Sequence, residues 1–370
     1  MKFIHMSDLH IGKSVNGFSM LEEQRYVFSQ ITAYIRLEKP TAVLIAGDIY
    51  DRAVPQTSAV RLFDDFLTEL FKEDVAVLLI SGNHDSPERL NYASRLLSEQ
   101  NLHLCGAFDG TLRNVTLRDE FGGVRFWLLP FIKPSTVRGS FGEIESYGDA
   151  VSAVLKNADI DYSGRNVLLS HQFYKSAGIS PARCESELDP IGGLDAVSAE
   201  LIFGFDYAAL GHLHGAQSAG GNLRYAGSPL KYSFSECRQI KSVTLAELRE
   251  KGSLKTTPLP LKPIHDMREI KGSLDEILRG ESSEDYLRVT LTDEEEIIDP
   301  MGKIRSVYPN VMALCFENSR FFAGSANISA KNIKKLSPYD LFCEFFLETG
   351  GAVMSGEQAE IARELLEEEI

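Results

Sequence analysis

Five of the chain's eight histidines stand in short polar motifs that directly follow apolar runs. Asp8-Leu9-His10 follows Lys2–Met6, and Gly47-Asp48-Ile49-Tyr50-Asp51 follows Ala42–Ala46. Gly82-Asn83-His84-Asp85 follows Val75–Ile80, Ser170-His171 follows Val167–Leu169, and Gly211-His212-Leu213-His214 follows Tyr207–Leu210. These motifs offer carboxylate, carboxamide and imidazole donors and no thiolate. That mix suits Mn2+, Fe2+ or Zn2+ in an open site rather than a closed structural zinc. The ligand candidates are Asp8, His10, Asp48, Asn83, His171, His212 and His214. They are too many for one ion and about right for two that share a bridging carboxylate. Two such ions can clamp the attacking and leaving oxygens of a phosphoryl displacement. Gly47, Gly82 and Gly211 read as sharp turns that aim the next side chains into the site. Each motif alone has a plainer reading: a turn-forming Asp, a Gly-Asp turn pair, a satisfied core histidine at 171. Their order along the chain, always after an apolar run, favours the metal reading.

The elements that would position them follow from periodicity. Apolar runs of four to six residues, buried on both faces and alternating with amphipathic stretches, predict an α/β layered sheet. Strands are expected at Lys2–Met6, Ala42–Ala46, Val75–Ile80, Arg125–Leu129, Val167–Leu169, Tyr207–Leu210 and Leu223–Ala226. Helices are expected at Leu21–Glu38, Thr57–Phe71, Pro87–Ser98 and Glu143–Asn157. Each polar motif then lies at the C-terminal end of a strand, the rim where ligand sites gather in open α/β sheets. Later strands are closely spaced, which predicts antiparallel additions and a mixed sheet. The expected domains are 1–255 around the motifs, a proline-rich linker at 256–265, a small segment at 266–335 and two amphipathic helices at 336–370. The small segment carries one strand, Tyr286–Leu291, and one helix, Met301–Tyr308. Ser337-Pro338 opens the first terminal helix, and Ser355 with Gln358 reads as a capping box for the second.

Composition narrows the classes. Hydrophobic residues are 44% and charged residues 25%, ordinary for a soluble globular chain and unlike a disordered or fibrous one. No apolar run is long enough for a membrane span. Met1–His5 leads straight into the first motif, so no signal peptide is expected, and five scattered cysteines fit a reducing cytoplasm. Net charge is −15, and residues 281–370 alone hold 18 acidic and 8 basic side chains. A polyanion would therefore be met by the N-terminal part, through local patches, metal ions or a basic partner.

The succession DxH, GDxxD, GNHD, SH and GHxH resembles the calcineurin-like metallophosphoesterase superfamily. Four longer stretches, Phe3–Gly12, Gly47–Arg52, Gly82–Leu90 and Tyr225–Phe234, are similar to the SbcD family of nuclease subunits from bacterial DNA-repair complexes. The resemblance implies a layered mixed β-sheet sandwich of metallophosphoesterase type, with helices outside, a small α+β capping domain and C-terminal helices. It implies Asp8, His10 and His214 on one metal, Asn83, His171 and His212 on a second, and Asp48 bridging. Mn2+ is the expected ion, with Mg2+ or Fe2+ as alternatives. His84 would face the scissile phosphate. Asp85 would either orient His84 or cap a turn. Asp51 is held as a supporting or substrate-side residue.

Substrate contacts are expected from Arg52, Arg89, Lys133 and Lys231, with Arg138 and Arg238 as further candidates. By resemblance the substrate is DNA, cut by exonuclease action on duplex ends and endonuclease action on single strands or hairpins. The resemblance also implies a partner, an SbcC-type ATPase bound near the root of its coiled coil by the C-terminal helices, and because the chain has no Walker A loop, ATP would enter through that partner. A homodimer of the nuclease subunit is also expected. The competing enzyme reading is a small-substrate metallophosphoesterase, a cyclic-nucleotide phosphodiesterase or phosphatase. A metal-free scaffold is the third reading.

Overall fold

The computed structural model describes residues 1–176, 181–187, 196–318, 338–350 and 353–367. The chain divides into two compact units, Met1–Asp266 and Met267–Ile370.

The first unit begins β1 (Lys2–Met6), β2 (Ser14–Val15), β3 (Phe18–Ser19), α1 (Leu21–Glu38), β4 (Ala42–Ala46), α2 (Thr57–Lys72) and β5 (Ala76–Ile80). It continues with α3 (Pro87–Leu90), α4 (Ser94–Ser98), β6 (Leu102–Cys105), β7 (Arg113–Asp119), β8 (Gly122–Leu129), α5 (Pro134–Phe141) and α6 (Tyr147–Asn157). Then come β9 (Arg165–Ser170), β10 (Phe173–Lys175), β11 (Ala196–Ser198), β12 (Tyr207–Leu210), β13 (Gln217–Gly220), β14 (Leu223–Tyr225), β15 (Ser242–Leu248) and β16 (Leu254–Pro260).

Two six-stranded sheets form, ordered β16-β15-β1-β4-β5-β6 and β13-β14-β12-β9-β8-β7. In the first, β1, β4, β5 and β6 run parallel, while β15 and β16 add antiparallel. In the second, β8, β9, β12 and β14 run parallel, and antiparallel β13 and β7 close the two edges. The apolar runs explain the layering. β4 and β5 are buried at every position, as strands covered on both faces must be. Alternate side chains meet between the sheets: Phe3, Leu44 and Leu78 against Phe126, Val167 and Tyr207. Phe3 and Phe126 pack edge to face with centroids 5.7 Å apart. The outer face of the second sheet takes Val137 of α5 and Val151 and Val154 of α6 over Trp127, Leu168 and Leu210. α1 buries Val27, Ile31 and Ile35, and α2 buries Leu62, Phe63 and Phe66. Phe28 of α1 stacks on Phe66 of α2 at 4.5 Å. At roughly 1.5–3 kcal/mol for each fully buried large apolar side chain, these faces fix strand order and register.

Several expectations are corrected. The proline-rich segment placed in a linker at 256–265 is mostly strand β16, paired with β15 from Leu254 to Pro260. Pro258 and Pro260 share one parity on an edge strand, so both can turn the side that lacks an N–H away from β15. The helix expected over Pro87–Ser98 is broken into α3 and α4, because Ala93 adopts a left-handed conformation. The helix expected from Glu143 begins at Tyr147, where Ser146 and Asp149 form a capping box.

The second unit holds β17 (Met267–Gly272), α7 (Leu274–Leu278), β18 (Tyr286–Leu291), α8 (Pro300–Arg305), β19 (Val311–Phe316), α9 (Pro338–Gly350) and α10 (Gly356–Glu367). It has a three-stranded parallel sheet, β17-β18-β19, where one strand was expected. Its core joins Leu274 and Ile277 of α7 and Ile304 of α8 to Leu287, Val289 and Val311. α9 and α10 pack on each other. Ser355 and Gln358 bond reciprocally to each other's main-chain N–H, at 2.9 and 3.3 Å, so the capping box is formed. Ser337 lies outside the described residues.

Candidate metal centre

The parallel pairing of β1 with β4 continues beyond the strand ends. Asp8 N–H donates to Gly47 O, His10 N–H to Asp48 O and Ile11 N–H to Ile49 O, at 3.0, 3.0 and 2.9 Å. Gly211 N–H donates to Ser170 O at 3.0 Å in the other sheet. His171 then crosses between sheets, its Nδ1 2.7 Å from Ala46 O. The three glycines serve two purposes. Gly47 has φ +87°, a conformation that glycine adopts freely. A Cβ on Gly47 would also stand 2.3 Å from His171 Nδ1, while Gly82 and Gly211, which lack a positive φ, are required by close approach alone. A Cβ on Gly82 would stand 2.1 Å from Asp48 Oδ1, and one on Gly211 would stand 2.0 Å from Ala46 O. Asp8, His10, Asp48 and His212 themselves hold positive φ values of 53°, 43°, 49° and 96°. Such conformations are costly for residues with a Cβ, and they cluster where a site dictates the backbone.

All seven ligand candidates converge. His10 Nε2 lies 3.1 Å from His214 Nε2. Asn83 Oδ1 lies 3.1 Å from both His171 Nε2 and His212 Nδ1. Asp48 Oδ2 is 3.5 Å from His10 Nε2 and 3.4 Å from His171 Nε2. Asp8 accepts the main-chain N–H of His212 at 2.9 Å and approaches His171 Nε2 at 4.0 Å. Donor atoms of Asp8, His10 and His214 fall within 4.8 Å of one another, as do those of Asp8, Asp48 and His171 and those of His10, Asp48 and His84. The third group includes His84, which the sequence reading kept off the metal.

Electrostatics agree with a cation's cradle. Burial pushes the His10 imidazole well below its ordinary pKa and brings His212 down to about 3, the latter helped by His171. Both rings are therefore neutral, and each keeps one bare nitrogen lone pair that a cation can use. Burial also opposes charge on His171, yet Asp48 and Asp8 outweigh it and raise that ring to about 9. Burial works against ionising Asp48, but His171 and His10 hold it well below the usual carboxylate range. Burial raises Asp8. Two facing ring nitrogens, one amide oxygen between two more, and buried carboxylates form a donor set that fits divalent cations.

The remaining candidates are placed as follows. His84 donates its main-chain N–H to Asp48 Oδ1 at 2.9 Å, and its Nδ1 sits 3.0 Å from Asp51 O. Of the two roles expected for Asp85, orienting His84 or capping a turn, its contacts are those of the cap. The carboxylate accepts from the main-chain N–H groups of Ile49, Tyr50 and Gly82 at 3.1, 3.0 and 2.8 Å. Burial and the neighbouring Asp48 raise it to about 6. Asp51 pairs with Lys13 at 2.7 Å. Arg52, Arg89, Lys133, Arg138 and Arg238 are exposed. Lys231, expected at the substrate, donates its ammonium to Cys237 O and Asp266 Oδ1 at 2.8 and 2.7 Å, contacts that brace the fold. Sequence reading missed Arg183 and Lys175, whose cations lie 3.9 and 5.0 Å from the Phe173 ring, itself 6.2 Å from His212. Nothing in their local pattern distinguishes them from surface charge. It also missed Ser186, Glu187 and Glu236, which surround His214.

The two-sheet sandwich and this rim define a calcineurin-like phosphoesterase, and the model of that family matches residues 1–216. A second model, the type 5 capsule protein repressor C-terminal domain of SbcD proteins, matches residues 263–349. The SbcD subunit of nuclease SbcCD from Staphylococcus epidermidis is 32% identical over 376 residues, covering 99% of this chain and 98% of that one. Its counterpart from Staphylococcus saprophyticus is 32% identical over 385 residues, covering 100% and 99%. A solved dimetal phosphatase from Danio rerio aligns at 14% identity with a TM-score of 0.39, over 70% of this chain and 98% of that one, too distant a likeness to carry an argument. The chain belongs to the SbcD family of nuclease subunits and is a metal-dependent phosphodiester hydrolase.

Proposed function

We propose that the centre holds two divalent ions, Mn2+ ahead of Mg2+ or Fe2+, and that the chain cuts DNA as an exonuclease on duplex ends and an endonuclease on single strands and hairpins. One observation carries this reading: a single oxygen, Asp48 Oδ2, stands between His10 and His171 at 3.5 and 3.4 Å. Asp8, His10 and His214 would hold one ion, Asn83, His171 and His212 the other, and Asp48 both. Such a pair, when bound, neutralises phosphodiester charge and makes hydroxide available near neutral pH. His84 does the protein's share of proton handling. Its Nδ1 is tied to Asp51 O, so Nε2 is the atom free to hold a proton for the departing sugar oxygen. Arg52, Arg89 and Lys133, with Lys175 and Arg183, would bind backbone phosphates.

The relatives are named as the SbcD component of SbcCD, which supports an SbcC-type ATPase partner for this chain. Exposed apolar side chains on α9 and α10, among them Leu341, Phe345, Ile361 and Leu365, supply a docking face. Residues 266–335 would guide DNA, and the nuclease subunit would act as a homodimer. The test is Mn2+-dependent cleavage of a labelled DNA hairpin beside hydrolysis of a chromogenic diester. Efficient hairpin cleavage is expected. Diester hydrolysis with intact hairpin would replace this reading with the small-substrate phosphoesterase.

A further inference from the structure

A polar chain behind His214, partly exposed at Ser186 and buried at Glu236, has no part in the chemistry described so far. His214 Nδ1 lies 2.7 Å from Ser186 Oγ, and that hydroxyl donates to Glu236 Oε1 at 2.6 Å. Glu236 is fully buried, and the 5% exposed Lys241 balances its charge at 2.5 Å. The same ammonium donates to the main-chain O of His214 at 2.9 Å and to Ser228 Oγ at 3.0 Å. On the other side, Glu187 Oε1 accepts the main-chain N–H of His214 at 2.7 Å. The residue is thus gripped at its ring, its amide and its carbonyl. A buried ion pair is costly to maintain and is weak evidence for stability in itself, so its placement against one imidazole calls for another explanation. His171 needs no such arrangement, because the backbone carbonyl of Ala46 fixes its Nδ1.

We propose that Ser186, Glu236 and Lys241 are positioning residues of the metal centre. With Nδ1 donating to Ser186, the bare Nε2 of His214 is aimed at His10 Nε2, 3.1 Å away, where the first ion would sit. The Glu236 charge, passed on through the Ser186 hydroxyl, makes that nitrogen a stronger donor, as carboxylates behind ligand histidines do. This rests on the proposed role of His214 as a ligand.

The test is calorimetric titration of the full-length chain with Mn2+ at fixed pH, paired with Mn2+ magnetic resonance. Ser186→Ala removes the relay without unpairing Lys241. It is expected to weaken one of two Mn2+ sites about 10–100-fold and leave the other within about twofold. Ser186→Thr, which keeps a hydroxyl, is expected to restore most of that loss. Glu236→Gln should weaken the same site. Ser186→Ala with both affinities within twofold of wild type, or with both sites weakened alike, overturns the relay. Fewer than two Mn2+ on the wild-type chain would instead remove the two-ion reading beneath it.

Discussion

The main-chain N–H of His84 donates to Asp48, so the two residues share geometry but differ in what their loss should remove. His84→Ala is expected to keep both Mn2+ ions and lose hydrolysis by about 10²–10⁴-fold, the usual worth of a placed proton donor. Asp48→Ala should lose both, and elemental analysis of the purified variants separates the outcomes. Equal metal content in wild type and Asp48→Ala would refute the bridge. Lys231→Ala should lower the melting temperature and leave DNA affinity nearly unchanged, because its partners are Asp266 and a backbone carbonyl. Away from the centre, the Arg165 guanidinium beside Asp119 holds that carboxyl well below the usual carboxylate range. A depressed folded pKa contributes stability above the unfolded value near 3.9, and the contribution fades as pH falls toward the folded value. Asp119→Asn should therefore cost about 2 kcal/mol in denaturant unfolding at pH 7, with the gap to wild type closing progressively below about pH 4.

At the scale of elements, the same rim shows what the sequence disclosed. Strand-then-motif order exposed the seven ligand candidates, since a run such as Ala42–Ala46 ends in a turn whose polar residues have one rim to occupy. Spacing could not tell a turn glycine from a contact glycine. Gly82 carries no left-handed φ, yet a Cβ there would collide with Asp48 Oδ1. Gly82→Ala is accordingly expected to weaken Mn2+ binding and lower the melting temperature, while Gly221→Ala, with nothing within 4 Å, tests backbone strain alone. β16 was hidden because two prolines suppress strand propensity, which an edge position tolerates. Ser186 and Glu236 were hidden because contacts across 28 and 22 residues from His214 leave no local periodicity.

For the molecule as a whole, the charge distribution and the helix faces bear on assembly. The last ninety residues carry most of the negative excess, and α10 presents Ile361 and Leu365 one turn apart at 58% and 69% exposure. Ile361→Glu with Leu365→Glu should abolish co-purification with an SbcC-type ATPase and leave Mn2+-dependent cleavage of hairpin DNA by the isolated chain intact. Loss of both would tie those residues to folding instead. Strand β16 sets a different limit on association. Two successive positions along its open side have no amide hydrogen to give, so a foreign strand laid there would meet gaps where a ladder needs rungs. That border of the sandwich is a poor seed for β-sheet polymerisation, and a chain recruited there would use side-chain surfaces.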